Sequence, residues 1–174
     1  PQWVNGKVGK ALSFDGVNDY VSGSTLNFPV DGNPLTVLVW MKTTGTIRKT
    51  IFSYGNSTNG QTVSLNVNQV SSNGQFNIDF YNCYKDSGLV VNDALFHFIG
   101  LVYSGGASAK MVVDSQIINT TLPCTPNIAG GTNYQIGRWV TAGTGDTSPY
   151  WFNGLIDEVR VYNRALSDAE IKAL

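Results

Sequence analysis

The segment Phe152–Ser167 constrains the fold most, because it combines a strand, a turn and the start of a helix. Val159 and Val161 alternate with polar residues and share one face of the pattern with Asp157. Such a period of two is typical of a strand with one buried face. The end of the chain is therefore predicted to be a half-buried strand that leads into a helix.

The rest of the chain reads as a series of short strands. Val, Ile, Thr and aromatic residues occur in runs separated by Gly, Asn, Ser and Asp, as in an all-β sandwich. The S-x-x-E spacing of Ser167 and Glu170 is that of a capping box, so a short C-terminal helix is expected. The predicted strands are 11–14, 19–22, 35–43, 49–54, 61–68, 75–80, 88–91, 96–103, 109–113, 116–118, 133–138, 151–153 and 155–162.

Length and charge limit the organisation and the partners. A chain of 174 residues is long enough for one core that buries roughly 70% of the unfolded surface, so residues 1–174 are predicted to form a single domain. The net charge of −1, without a Lys/Arg cluster, argues against nucleic acid as a partner. No apolar run approaches the ~20 residues that span a bilayer, so membrane insertion is not expected. We expect a module of a larger multidomain protein.

Four segments in this order resemble a known family. Gly9–Val21 and Phe152–Ser167 are similar to the terminal blocks of the laminin-G-like, concanavalin A-like jelly rolls of secreted bacterial proteins. Leu35–Lys42 resembles the apolar strand of that family that carries a Trp, and Thr50–Gly55 the strand after it. Leu95–Gly100 departs from the family, which usually has a Trp-His-His segment there. The resemblance implies an antiparallel β-sandwich of jelly-roll type.

The two cysteines favour a disulfide. Cys83 and Cys124 lie in polar, turn-rich surroundings and belong to neither a C-x-x-C motif nor a Cys/His cluster, so a bond is favoured over a metal site. Two free, buried thiols are the alternative. A disulfide implies an oxidising compartment, and we expect an extracellular or cell-surface location.

A calcium site is predicted at the turn that contains Asp15, Asn18 and Asp19. The family resemblance would bring Asp157 from the last strand next to this turn. Carboxylate and amide oxygens around one tight turn suit calcium, which takes six to eight oxygen ligands. The alternative is an Asx-turn, in which Asp15 and Asn18 bond backbone amides and Asp157 pairs with Arg160 or a neighbouring amide. Any ion here is expected to be structural.

Aromatic and polar residues predict a carbohydrate-binding site near the end of the chain. Arg138, Trp139, Tyr150 and Trp151 flank the run 141–145, which is rich in Gly and Thr. Sugars present apolar faces ringed by hydroxyls, and apolar rings on a loop are costly unless they meet a partner or pack down. The alternative is that these rings simply cover the core, with their polar tips reaching solvent.

Two further residues are candidate ligand contacts. Tyr84 belongs to a second aromatic and polar group beside Cys83. His97, the sole histidine, alternates with Phe96 and Phe98. If both rings are in the core, His97 faces the other side of its sheet, which is the concave side where ligands bind. A surface hydrogen-bonding role is the plainer interpretation of a lone histidine.

Catalysis is poorly supported by the titratable residues. Glycoside hydrolases of related fold use an E-x-D-x-x-E pattern on one strand, which this chain lacks. Its only glutamates are Glu158 and Glu170, and adjacent residues such as Asp157 and Glu158 point to opposite faces of a strand. We therefore expect a module that is not an enzyme.

The sequence thus predicts an extracellular carbohydrate-binding module that recognises a polysaccharide or glycan by aromatic stacking and hydrogen bonds. The alternative is an adhesion or assembly domain of a surface or particle protein, with the same aromatic loop as an anchor for a protein ligand. A groove lined by aromatic and polar groups favours the first function, and a flat apolar patch favours the second.

Overall fold

The computed structural model describes residues 1–68, 73–130, 133–139 and 149–174. Thirteen strands and one short helix lie within these ranges. They are β1 (Gln2–Asn5), β2 (Lys10–Asp15), β3 (Val21–Ser24), β4 (Leu35–Lys42), β5 (Lys49–Gly55), β6 (Thr62–Val67), β7 (Gln75–Asp79), β8 (Tyr84–Val90), β9 (His97–Gly105), β10 (Ser108–Val113), β11 (Gln116–Thr121), β12 (Asn133–Ile136), β13 (Asn153–Tyr162) and α1 (Asp168–Lys172).

The strands form two antiparallel sheets that pack face to face. The seven-stranded sheet has the order β1-β2-β13-β4-β9-β10-β11, and the six-stranded sheet has the order β3-β12-β5-β6-β7-β8. The chain crosses repeatedly between the sheets, so strands that are distant in sequence, such as β2 and β13, become neighbours. This arrangement confirms the predicted jelly-roll sandwich.

Alternation along the central strands builds the core between the sheets. Val63, Leu65 and Val67 of β6 point inward and are fully buried. Phe76 and Ile78 of β7 pair with Val67 and Leu65 and join the same cluster. The polar residues between them necessarily face outward on the six-stranded sheet.

The helix α1 covers the outer face of the seven-stranded sheet. Ile171 packs into a second apolar cluster with Leu38 and Phe98, and the Trp40 ring lies 5.2 Å from that of Phe98. The predicted capping box is confirmed. The Ser167 hydroxyl accepts a hydrogen bond from the Glu170 amide, and the Glu170 carboxylate accepts one from the Ser167 amide. The helix thus packs on an apolar cluster on the outer face of the seven-stranded sheet.

The observed strands differ from the predicted ones most clearly at β1, β8 and β13. Strand β1 was not predicted, because it is only four residues long and pairs with β2 alone at the sheet edge. Strand β8 begins earlier than expected, and the two last predicted strands are one continuous strand, β13. A bulge between Asp157 and Arg160 shifts the register of β13. Asp157 therefore pairs with Trp40 on the outer face, whereas Val161 faces the core.

Candidate functional site

The centre of the six-stranded sheet carries a row of polar side chains on its outer face. Ser64 pairs with Asp79, and Asn66 pairs with Asn77, in the register of β6 and β7. Paired residues share a face, so these four side chains lie on the side away from the core. All four are almost completely buried. Something other than the core must therefore cover this polar face.

Hydrogen bonds hold the polar row in a fixed arrangement. The Thr50 hydroxyl donates to Asn66 Oδ1 at 2.7 Å, and Asn66 Nδ2 donates to Ser64 Oγ at 2.9 Å. Ser64 Oγ in turn donates to the backbone carbonyl of Asp79 at 3.1 Å. Since each group is paired, burial of this face does not leave these polar atoms unsatisfied.

Arg48, Trp139 and Tyr150 form a cover over part of this face. The guanidinium carbon of Arg48 lies 4.0 Å from the ring centroid of Tyr150 and 4.9 Å from that of Trp139. Arg48 Nη2 is 3.6 Å from Asp79 Oδ2, so the cover is anchored to the polar row. Backbone bonds place the same segment here, because the Thr50 amide donates to the Tyr150 carbonyl.

Trp139 belongs to this cover and is only 1% exposed. Its ring packs edge-to-face against Tyr150 and 6.2 Å from Tyr81, and its indole nitrogen donates to Ser57 Oγ at 3.4 Å. The prediction that Trp139 is an open platform for a sugar is therefore wrong. Large aromatic side chains that can pair their polar atom favour this kind of burial. Tyr150 is half-buried beside it.

An open aromatic cluster lies beside this cover, at the edge of the sheet formed by β12 and β3. We use "arginine cluster" for Tyr20, Arg138 and Trp151. The guanidinium carbon of Arg138 lies 3.9 Å from the Tyr20 ring centroid and 5.5 Å from that of Trp151. The two rings are 5.9 Å apart and tilted by 42°. Tyr20 is 41% exposed, and Arg138 and Trp151 are half-buried.

A hydrogen-bonded chain connects the arginine cluster to the sheet. Arg138 Nε donates to Gln135 Oε1 at 3.2 Å, and Gln135 Nε2 donates to Ser22 Oγ at 3.2 Å. Gln135 pairs with Ser22 and Ser53, which places it on the outer face. The sequence prediction missed Tyr20, which precedes β3, the neighbour of β12, while the Phe152 amide that donates to the Gly137 carbonyl brings Trp151 to the end of β12. No local pattern reveals the contact between Tyr20 and Trp151.

Tyr84 also lies on the outer face, since it pairs with Asp79 at the beginning of β8. It is 40% exposed. Strand β8 is four strands away from β12, which corresponds to ~19 Å between Tyr84 and the arginine cluster. A single sugar cannot contact both places, but an extended glycan can span them. The run 141–145, which was expected to carry the loop, lies outside the described residues.

His97 is not on this face. It belongs to β9 of the seven-stranded sheet and pairs with Met41 at the rim of the core. Phe98 packs under α1 on the outer side, so the assumption that the neighbouring Phe rings fill the main core is wrong, and His97 points inward. The prediction that His97 contacts a ligand is therefore wrong, because the topology places its ring on the inner side of the seven-stranded sheet.

Two carboxylates hold the His97 ring. Its Nδ1 lies 2.9 Å from Asp114 Oδ2 and its Nε2 lies 3.0 Å from Asp93 Oδ1. Burial lowers the pKa of His97, but the hydrogen bonds to Asp114 and Asp93 outweigh it and raise the pKa above the ordinary value. The same contact lowers the pKa of Asp93. Both ring nitrogens are thus engaged by the protein itself.

The predicted disulfide between Cys83 and Cys124 is confirmed, with 5.9 Å between the Cα atoms. It joins the turn before β8 in one sheet to the segment that follows β11 in the other. The bond therefore ties the two sheets together at one end of the sandwich.

The predicted calcium ligands do not all meet. Asp15 Oδ1 accepts the amides of Val17, Asn18 and Asp19, as expected of an Asx-turn, and the hydrogen bonds from Val17 and Asn18 lower the pKa of Asp15. Asn153, rather than Asp157, pairs with Asp15 across the strands.

Asp157 lies four residues further along β13, about 13 Å away at the usual rise. Its Oδ2 accepts the amides of Lys7 and Val8 at 2.8 Å and 2.9 Å. Gly6 permits this close approach, since a Cβ there would lie 2.4 Å from that oxygen. The expectation that Asp157 joins the turn is wrong, because its carboxylate closes the turn between β1 and β2. Over the described ranges, no group of three or more His, Cys, Asp or Glu side chains is arranged to hold a metal ion.

The two glutamates have structural partners. Glu158 Oε2 pairs with Arg160 Nη2 at 2.5 Å, and Glu170, besides capping α1, pairs with Arg164 at 2.7 Å. Neither lies on the outer face of the six-stranded sheet. In the part of the chain that is described, no helix is long and apolar enough to cross a membrane.

Solved structures with this fold include glycan-bound domains. Domain 4 of AbnA, a GH43 extracellular arabinanase from Geobacillus stearothermophilus, in complex with arabinotriose, has a TM-score of 0.70 at 20% identity and covers 98% of this chain and 79% of that one. The CBM40 of the Ruminococcus gnavus IT-sialidase, bound to α2,3-sialyllactose, has a TM-score of 0.69 at 19% identity and covers 94% and 95%. Domains LG4-5 of the mouse laminin α1 chain have a TM-score of 0.65 at 15% identity, and the match covers 97% of this chain and 45% of that one.

At these identities the structural likeness shows the fold. No curated protein sequence matches the chain. The laminin-G family profile described as the concanavalin A-like lectin/glucanases superfamily matches residues 15–172, nearly the whole chain. The chain therefore belongs to the concanavalin A-like lectin/glucanases superfamily.

Proposed function

We propose that this domain is a non-catalytic, extracellular carbohydrate-binding module and that the arginine cluster contacts the glycan. The observation that carries the proposal is the pair of neighbouring rings, exposed Tyr20 and half-buried Trp151, beside the guanidinium of Arg138. Ring faces accept the apolar side of a sugar, and a nearby polar fork supplies directional hydrogen bonds.

The surrounding surface supports a glycan as the occupant. The cluster continues into polar groups of β3 and β12, such as Ser22 and Gln135, rather than into an apolar patch. Two proteins of the same fold are seen with arabinotriose and sialyllactose. The disulfide Cys83–Cys124 supports an oxidising, extracellular location. A module of a larger secreted protein fits these features.

The absence of catalysis is part of the proposal. Glu158 and Glu170 are ion-paired away from the cluster, and Asp157 is held by backbone amides. These contacts leave the three residues to structural roles. Incubation with the bound glycan should therefore release no reducing sugar.

Affinity electrophoresis tests the binding function. The purified domain is run through gels that contain different soluble polysaccharides. We expect one glycan to retard it and Trp151→Ala or Tyr20→Ala to abolish the retardation. Trp3→Ala is the matched control, because Trp3 is an exposed tryptophan, 69% accessible, on edge strand β1 of the other sheet. Unaltered migration of the folded wild type across the panel would favour the alternative, an adhesion or assembly domain with a protein ligand.

Calcium remains a separate prediction, restricted to the Asp15–Asp19 turn. Asp157 is excluded because its carboxylate is used by the amides of Lys7 and Val8. If an ion binds at the turn, calcium should raise the melting temperature of the wild type and of Asp157→Asn by the same increment. That increment should be lost in Asp19→Asn. An unchanged melting temperature of the wild type on chelation would refute the site.

A further inference from the structure

The four arginines of the chain differ in their ionic partners. Arg48 lies 3.6 Å from a carboxylate oxygen of Asp79. Arg160 and Arg164 pair with glutamates at 2.5 Å and 2.7 Å. Arg138 alone has no carboxylate within ion-pair distance over the residues that the structure describes. It is therefore the arginine whose charge the described chain leaves uncompensated.

Arg138 is nevertheless held in place. Its guanidinium stacks against Tyr20 at 3.9 Å, lies 5.5 Å from the Trp151 centroid and donates from Nε to Gln135 at 3.2 Å. Gln135 is itself buried and fixed by its bond to Ser22. In the described ranges the terminal nitrogens Nη1 and Nη2 make no hydrogen bond to the protein. The stem is thus fixed, while none of the described residues occupies the two terminal nitrogens of the fork.

An available guanidinium fork beside aromatic rings has a specific chemical preference. Its two parallel N–H groups match the two oxygens of a carboxylate, and such bidentate pairs are stronger than neutral hydrogen bonds. Stacking on a ring lowers the entropy lost when the fork binds. The net charge of the chain is only −1, so attraction of an anion is a property of this cluster rather than of the whole surface.

We propose that Arg138 binds the carboxylate of an acidic saccharide, such as a uronic acid residue, while Tyr20 and Trp151 contact its ring. This inference rests on the proposed glycan-binding function and adds the substrate class. Gln135 and Ser22 act as positioning residues, because Gln135 accepts the Nε–H of Arg138 and is itself fixed by its bond to Ser22.

Calorimetric titration with trigalacturonic acid and with its methyl ester tests the proposal. The two probes share the sugar rings and differ in the carboxylate charge. We expect the acid to bind at least about tenfold more tightly, since hydrogen bonds to charged groups are each worth a factor of about ten or more. Arg138→Gln should weaken binding of the acid by about tenfold to a hundredfold. Arg138→Lys keeps the charge but loses the fork, so its affinity for the acid should lie between those of the wild type and Arg138→Gln.

Arg164→Gln is the matched control. It removes the same charge from an exposed arginine at α1, on the opposite side of the sandwich, and should leave binding unchanged. Circular dichroism of each variant verifies that it is folded.

Several results would overturn the proposal. Equal affinity for the acid and the ester, or an Arg138→Gln variant that binds the acid like the wild type, would show that the fork does not recognise a carboxylate. Retention of dextran sulfate that is equally strong in wild type and Arg138→Gln, without binding of the trisaccharide, would indicate unspecific anion binding. Retardation by neutral polysaccharides alone would remove the acidic class but keep the glycan-binding function. Failure with every glycan would remove both.

Discussion

The surroundings of Trp139 and Trp151 give two tryptophans of the same segment opposite roles. Trp139 is enclosed by Arg48, Tyr81 and Tyr150, whereas Trp151 is half-buried in the open arginine cluster. We expect Trp139→Ala to lower the free energy of unfolding by about 3–5 kcal/mol, because it leaves a large cavity. Trp151→Ala should cost about 1 kcal/mol or less and abolish glycan retardation. Urea unfolding and affinity gels on both variants check this, and equal losses of stability would contradict it.

His97 makes the stability depend on pH. Its pKa is raised in the folded protein, since the bonds to Asp114 and Asp93 outweigh burial. The protonated ring therefore stabilises the fold fully below the unfolded pKa of about 6.5, and this contribution disappears as the pH rises through the folded value.

We expect the free energy of unfolding to fall above about pH 6.5 in the wild type and to fall less in Asp114→Asn. This variant removes a charge but keeps an oxygen that can accept the Phe98 amide, which Asp114 Oδ1 bonds at 2.9 Å. Asn also tolerates the positive φ of 54° at this position. Urea unfolding over a pH series provides the measurement. If the free energy of unfolding changed with pH in the same way in both proteins, the contact between His97 and Asp114 would not be the cause of the pH dependence.

Among the elements, the disulfide joins parts of the two sheets that the strand order does not connect. Cys83 precedes β8 at the edge of the six-stranded sheet, and Cys124 follows β11 at the edge of the seven-stranded sheet. The bond closes a span of 41 residues, for which the chain-entropy relation gives about 4 kcal/mol. We expect the double variant Cys83→Ala/Cys124→Ala to lose about 2–4 kcal/mol. A reductant should destabilise the wild type to the same extent and leave the variant unchanged; an insensitive wild type would contradict the account.

Elements with a strong local pattern were predictable, and contacts that depend on the return path of the chain were not. The alternation of Thr62–Val67 predicts both the inward apolar row and the outward polar row of β6, and the spacing of Ser167 and Glu170 predicts the cap of α1. His97 was misplaced because local alternation does not reveal which face of a sheet the core occupies. The contact between Tyr20 and Trp151 depends on strand pairing, for which the sequence carries no short-range signal.

At the scale of the whole molecule, the two outer faces of the sandwich are specialised differently. The outer face of the seven-stranded sheet carries an apolar cluster in which Leu166 and Ile171 pack with Phe98. On the six-stranded sheet the polar row is almost completely buried, and the arginine cluster and Tyr84 lie at opposite ends of the outer face. The proposed glycan, lying along this face, would meet the arginine cluster at one end and Tyr84 at the other.

The four tryptophans provide the most direct test of this assignment, because each contributes one indole N–H resonance and they lie in four different environments. The measurement is a two-dimensional ¹H–¹⁵N NMR titration of the domain with the glycan that retards it most in the gels. We predict that the resonance of Trp151 moves most, that of Trp139 moves little, and those of Trp3 and Trp40 stay in place. A shift of Trp3 or Trp40 with an unmoved Trp151 would place the ligand on the other sheet and contradict the account.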